Sequence, residues 1–252
     1  MAKLSVLIIT FNEANNITDC LASVSFADEV VVLDSGSKDG TADIARDCGA
    51  QVVVSEGPWP GFGPQKNRAL GLASNEWVLS IDADERVTAE LAKQIQHVIH
   101  ANVGVAYEVP RLTQFCGQWI RHSGWAPDHV LRLFKRDSAR FSDDLVHERV
   151  ITSAVPNRLF SPLLHYSYPT PNHYWRKLEQ YSQAWAQQRY ELGQKTSMFR
   201  AGLAGLAAFL RSYFFQRGFL DGSMGFAVCV MQAQAAFGKY FELFCLQKRH
   251  EK

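Results

Sequence analysis

Trp77-Val78-Leu79-Ser80-Ile81-Asp82-Ala83-Asp84-Glu85 joins an apolar run to a pair of carboxylates spaced by one small residue. The run lacks polar alternation, which is the pattern of a strand buried on both faces of a parallel sheet. Its C-terminal end would then carry Asp82 and Asp84 into one crevice, on the edge where ligands bind in open α/β sheets. Hard oxygens so placed suit Mg2+ or Mn2+, and such an ion bridges diphosphate oxygens. The same residues also read as an acidic turn ahead of a helix that starts near Thr88.

The sequence before this stretch repeats the pattern. Leu4–Ile9, Glu29–Leu33 and Gln51–Val54 are further Val, Ile and Leu runs. Helical spacings separate them. Ile17, Leu21 and Val24 recur after Asn15 and Asn16, and a second helix over Thr41–Cys48 stops at Gly49. A third covers about Pro64–Ala73, and a fourth, Thr88–His100, sets Leu91, Ile95, Val98 and Ile99 on one side. Strand–helix alternation of this length predicts a parallel α/β sheet with right-handed crossovers.

The polar ends of the strands would share one rim. Thr10-Phe11-Asn12-Glu13 follows the first strand, and Asp34-Ser35-Gly36-Ser37-Lys38-Asp39-Gly40-Thr41 follows the second. Asp34 can accept hydrogen bonds from a base or ribose, and Gly36 and Gly40 allow tight turns beside a ligand. Asp39-Gly40-Thr41 equally reads as helix capping. Gln65-Lys66-Asn67-Arg68 brings positive charge to a helix start, where a diphosphate can be met, although Lys66 also fits a solvated surface.

From Gly104 to about Tyr168 the apolar runs shorten (Val105–Val109, Val130–Phe134, Arg149–Thr152), as in a mixed or antiparallel extension of the sheet. Beyond Tyr174 the chain turns helical, with Tyr174, Leu178, Tyr181 and Trp185 as a stripe. AGLAGLAAFL (Ala201–Leu210) follows, then an uncharged stretch, Gly222–Gly238, whose Ser, Gln and Gly residues make a poor membrane span. The division expected is residues 1–170 as the catalytic domain, split into a nucleotide-binding half (1–103) and an acceptor half (104–170). Residues 171–252 form a helical extension.

Composition narrows the classes. In 252 residues, 47% are hydrophobic and 20% charged, which excludes disorder. Five scattered cysteines without a CxxC pair suggest neither a zinc cluster nor a disulfide framework, and fit a reducing compartment. The apolar N-terminal run is too short for a signal-peptide core, so a cytoplasmic protein is expected. Net charge is +1, but residues 173–252 hold eleven Lys and Arg against five Asp and Glu, a local +6 that leaves −5 for the remainder. The basic tail and its aromatics Phe199, Phe209, Tyr213, Phe214, Phe215 and Phe219 fit either an anionic membrane surface or a helical lid packed on the domain. No GxxxxGK[ST], GxGxxG or GxSxG motif occurs, which speaks against a P-loop NTPase, a dinucleotide site and a nucleophile elbow.

Strand–TFNE, strand–LDSGSKDGT, QKNRALGLA and strand–IDADE, in this order, resemble the nucleotide-binding half of family 2 glycosyltransferases. The resemblance covers roughly the first hundred residues. It implies a GT-A fold, a Rossmann-like mixed sheet flanked by helices, together with a nucleotide-diphospho-sugar donor and inversion at the anomeric carbon. By the same resemblance Thr10, Asn12 and Glu13 border the nucleotide, Asp34 meets the uracil-ribose side, and Asp82, Ala83 and Asp84 hold metal and diphosphate. Gly124-Trp125-Ala126-Pro127-Asp128, Arg132-Leu133-Phe134, Val146-His147-Glu148, His165-Tyr166-Ser167 and Gly218-Phe219-Leu220-Asp221-Gly222 are similar to the subgroup acting on the lipopolysaccharide inner core. Within it, the heptose β-1,4-glucosyltransferases are the nearest pattern. UDP-glucose, a heptose acceptor and work at the cytoplasmic face of the inner membrane follow from that resemblance alone, and nucleic acid is not an expected partner.

An inverting transfer needs a base for the acceptor hydroxyl. Glu148 is the choice, with Asp143 and Asp144 as rivals; a salt bridge from Glu148 to Arg149 or Arg132 is the structural alternative. His147 and His165 can orient the base or complete a metal shell, and each can equally be a structural hydrogen-bonder. Trp125 can stack on a sugar or fill a core. Another UDP-sugar or envelope acceptor, a nucleotidyltransferase, and an inactive scaffold are the remaining readings. The TFNEANN loop stands where a nucleotidyltransferase carries a Gly-rich basic loop, and the intact carboxylates argue against a scaffold.

Overall fold

Leu4–Thr10 (β1), Glu29–Asp34 (β2), Gln51–Val54 (β3) and Trp77–Asp82 (β4) are parallel neighbours in the order β3-β2-β1-β4. The computed structural model describes residues 2–143 and 148–250. β1, β2 and β4 are mostly apolar because both of their faces are covered, whereas β3, at the edge, is partly exposed. Ile8, Trp77 and Leu79 face one core with Ile17, Leu91 and Ile95. Leu7, Val31 and Val78 face the other with Ala69, Leu70 and Phe134. Each fully buried Val, Leu, Ile or Phe among them contributes about 1.5–3 kcal/mol. The register sets Thr10 beside Asp34 and Ile9 beside Asp82, so the polar strand ends do share one rim.

The four expected helices are Ile17–Ser23 (α1), Thr41–Asp47 (α2), Phe62–Leu72 (α3) and Ala89–Ala101 (α4). Thr88 caps α4 by accepting from the Leu91 N–H, and Gly49 ends α2 at φ 86°. α3 begins two residues ahead of Pro64, which sits in the first turn where a missing N–H costs nothing.

The sheet continues as β8-β6-β12-β5, where Glu85–Val87 is β5, Ala106–Phe115 β6, Asp128–Lys135 β8 and Leu163–Tyr168 β12. β8 is antiparallel to β4 and β6, and β12 is antiparallel to β5. Gln118–Trp119 (β7) and Asn157–Arg158 (β11) pair with β6, while Ala139–Phe141 (β9) and Val150–Thr152 (β10) form a separate hairpin. The expected class, a mixed sheet flanked by helices with a helical C-terminal part, is what the chain adopts.

Two compact units emerge: Met1–Arg111 with Asp128–His165, and Leu112–Pro127 with Tyr166–Lys252. The second unit thus includes 112–127 besides the helical extension, because Phe115 and Ile120 share a core with Val228 and Met231. Its helices are Pro171–Glu191 (α5), Met198–Leu210 (α6) and Gly222–His250 (α7). On α5 the stripe is interrupted: Ser182 and Ala186 are buried and Tyr181 is exposed. A Cβ on Gly225 would overlap the Gly218 carbonyl, which explains the glycine pattern there. Among the described residues no helix is long and apolar enough to cross a membrane.

Candidate active site

The rim of the first unit holds two acidic clusters with different partners. After β2, Asp34 is 1% exposed. It accepts from Thr10 Oγ1 at 2.9 Å, from the N–H groups of Gly36 and Ser37 at 3.0 and 2.8 Å, and from Ser37 Oγ. Asn12, at φ 57°, accepts from the Lys38 N–H and donates its own N–H to Ser37 Oγ. Glu13 donates its N–H to Thr41 Oγ1 and accepts from Asn16. Gly36 and Gly40 are at φ 87° and 89°, which a Cβ would oppose. Thr10 and Asp34 therefore clamp the two loops together, and Asp34 shapes the rim from beneath. Asp39 is surface-exposed, and its carboxyl lies below its usual range through hydrogen bonds from Thr41 and the Ala14 N–H; the N-cap of α2 is Gly40, with no side-chain cap.

After β4, the carboxylates meet cations. Asp82 pairs with Lys66 Nζ at 2.9 Å and Arg132 Nη2 at 2.7 Å. Burial alone would raise its carboxyl, but Arg132 and then Lys66 hold it well below the usual range. Glu85, fully buried, accepts from Arg132 at 2.7 Å and from the Asp82 N–H, and lies 3.6 Å from Arg111. Arg111 also pairs with Asp128 at 2.7 Å. Lys66 bridges Asp82 to Glu148, 2.7 Å away, with Phe141 below its ammonium. The solvated reading of Lys66 is thus overturned: its side chain is 5% exposed. Glu148 pairs with Lys66 rather than with Arg132, which is engaged by Asp82 and Glu85. Asp84 stands 3.3 Å from His165 Nε2, because β12 runs antiparallel to β5 with His165 opposite Glu85.

The other expected site residues separate. Asn67 exchanges two hydrogen bonds with the Phe141 backbone and fixes β9. Arg68 is exposed and donates to Ser55 Oγ, and Ala83 is buried with its carbonyl on Arg86. Asp143 is exposed, 3.7 Å from Arg140. Trp125 lies in the second unit, packed against Phe115 and Tyr168. Asp144 and His147 lie outside the described residues. Glu85, Arg86, Arg111 and Arg132 were not singled out in the sequence as site residues. No local pattern marks Glu85 and Arg86, because β5 is three residues long and their burial shows only in the folded chain.

The expected metal set of Asp82, Asp84 and His165 is not assembled as a group. Among the described residues no three His, Cys, Asp or Glu stand ready to hold an ion, since Lys66 and Arg132 occupy Asp82. Asp84 and His165 form a carboxylate–imidazole pair whose carboxylate oxygen suits a hard divalent cation. Around it, the carboxylates of Asp82, Asp84, Glu85, Asp128 and Glu148 face the cations Lys66, Arg86, Arg111 and Arg132, a formal excess of one negative charge.

The model of glycosyl transferase family 2 matches residues 5–159, which carry both clusters except His165. The chain belongs to that family. This family 2 transferase is 32% identical over 250 residues to an uncharacterised glycosyltransferase of Rickettsia prowazekii, covering 94% of this chain and 85% of the relative. It is 30% identical over 260 residues to the lipopolysaccharide core biosynthesis glycosyltransferase LpsC of Rhizobium meliloti, covering 98% and 94%. Among solved structures, glucosyl-3-phosphoglycerate synthase from Mycobacterium tuberculosis, in complex with Mn2+, UDP and its product, is 25% identical over 46% of this chain and 45% of that one, at a TM-score of 0.36.

Proposed function

We propose that this family 2 enzyme is an inverting glycosyltransferase that moves a sugar from a UDP-sugar, with glucose as the leading candidate, onto a lipopolysaccharide inner-core heptose. The observation that supports it best is the Asp84–His165 pair beside a cation-held Asp82, at the end of the strand that carries the donor motif. The likeness to LpsC along nearly the whole chain supports the acceptor class. A lipid-borne acceptor would put the work at the cytoplasmic face of the inner membrane.

In this reading the TFNE and DSGSKDGT loops receive the nucleoside, with Asp34 fixing their shape. Asp84 and His165 would hold Mg2+ or Mn2+, which supplies charge stabilisation for the departing diphosphate. Lys66 and Arg132 orient Asp82 and keep its carboxylate ionised. Glu148 accepts the proton of the acceptor hydroxyl as that oxygen bonds to the anomeric carbon. The bond from that carbon to the β-phosphate oxygen breaks on the opposite side, and UDP leaves with the electron pair. Lys66 lies between Glu148 and Asp82 and holds the base in place beside the donor motif.

UDP release from a panel of UDP-, GDP- and ADP-sugars, with and without Mn2+ or Mg2+, tests this reading. Metal-dependent release from one UDP-sugar, reduced about 100-fold or more in Asp84→Ala, is the expected result. Metal-independent release, or full activity in the variant, contradicts the assignment.

A further inference from the structure

The helix α6 is built inside out. It buries its small residues: Ala201 and Gly205 are inside, and a Cβ on Gly205 would stand 3.2 Å from both the Ala233 carbonyl oxygen and Phe237 Cβ of α7. Its large residues face outward. Phe199, Leu203, Leu206 and Leu210 follow one another at steps of four, three and four, so they share one stripe along the helix. The π-helical turn Arg211–Phe215 then extends the apolar surface through Phe214 and Phe215. Phe199 is 76% exposed and Phe215 is 83% exposed. Phe209 and Tyr213, by contrast, stack on each other and pack edge-on against Phe226. A soluble domain packing for its own stability would bury the large side chains, and an exposed run of this kind marks a contact surface.

Charge identifies the occupant. Residues 192–220 contain no Asp or Glu, yet carry Lys195, Arg200, Arg211 and Arg217. All four are exposed, and none forms an ion pair with a carboxylate among the described residues. Arg200 and Arg211 stand at the two ends of the α6 stripe. A second copy of the chain across a two-fold axis would set these cations against themselves. A surface of anionic headgroups satisfies them, with the aromatic and leucine side chains entering the acyl boundary. At 13 residues α6 is too short to cross a bilayer, so it would lie in the interface plane.

We infer that the outward face of α6 and the turn after it, Phe199 to Phe215, is a docking surface for an anionic lipid bilayer. This inference stands on its own residues and does not need the donor or acceptor assignments. The test is flotation of the full chain with phosphatidylglycerol vesicles and with phosphatidylcholine vesicles, at low and high salt. Binding to the anionic vesicles at low salt, weakened by salt and on the zwitterionic lipid, is expected. Arg211→Gln with Arg217→Gln should lower the partition about 25-fold, at about five-fold per cation. Phe214→Ser with Phe215→Ser should abolish it, while circular dichroism and nucleotide binding stay unchanged, which separates this surface from the catalytic reading. Failure of the wild type to bind phosphatidylglycerol at low salt overturns the inference. So does equal binding by both variants. A dimer seen by light scattering and lost in the Phe214→Ser, Phe215→Ser variant would assign the surface to a second copy instead.

Discussion

β2 and β4 both end in aspartates, Asp34 buried and Asp82 half-buried, yet the first is satisfied by neutral donors and the second by cations. Asp34 takes hydroxyl and backbone N–H donors from residues close by on the rim. Asp82 takes Lys66 and Arg132 from elements 16 and 50 residues away in sequence. Neutral donors fix a shape without changing the charge a ligand meets. Cations fix a shape and also set how much negative charge the site retains, which decides whether an ion and a diphosphate are welcome there. In the proposed reading, the first cluster meets the nucleoside and the second the diphosphate.

Removing one cation should have the largest effect. Arg132→Met leaves Asp82 and the fully buried Glu85 without their shared partner, and should cost about 3–5 kcal/mol in chemical unfolding. A loss below 1 kcal/mol would mean that solvent already screens the network. Asp34→Ala should cost less, about 1–3 kcal/mol, because it strands neutral donors and no charge. Equal costs for the two variants would erase the distinction between the clusters.

The pH dependence should differ in the same sense and more gently. Asp82 has a folded value below its unfolded one, so its contribution is complete above about pH 4 and is lost as pH falls through the folded value. Unfolding of the wild type should therefore ease below about pH 4, and Asp82→Asn should flatten that slope. An unchanged slope in the variant would assign acid sensitivity to other carboxylates.

The parallel half of the fold was legible because most of its strands are buried on both faces and announce themselves as apolar runs. The rim was legible for the same reason, since each run stops at a polar cluster. The pairings across the rim were not. Glu148 lies 82 residues from Lys66, next to a short hairpin whose place no local pattern reveals. His165 reaches Asp84 only because β12 pairs with β5, a strand of three residues that periodicity cannot register. On α5 the expected stripe holds at Tyr174, which packs on the core, and at Trp185, which packs against Tyr240, but Tyr181 is left outside while Ser182 and Ala186 are buried.

The division between the two clusters is tested most directly by calorimetric titration of UDP, with and without Mn2+, into wild type, Asp84→Ala and Asp34→Ala. Mn2+ should strengthen UDP binding in the wild type, lose that effect in Asp84→Ala, and keep it in Asp34→Ala on a weaker baseline. A metal-dependent gain that survives in Asp84→Ala, or vanishes in Asp34→Ala alone, would contradict the assignment of phosphate to the rim after β4.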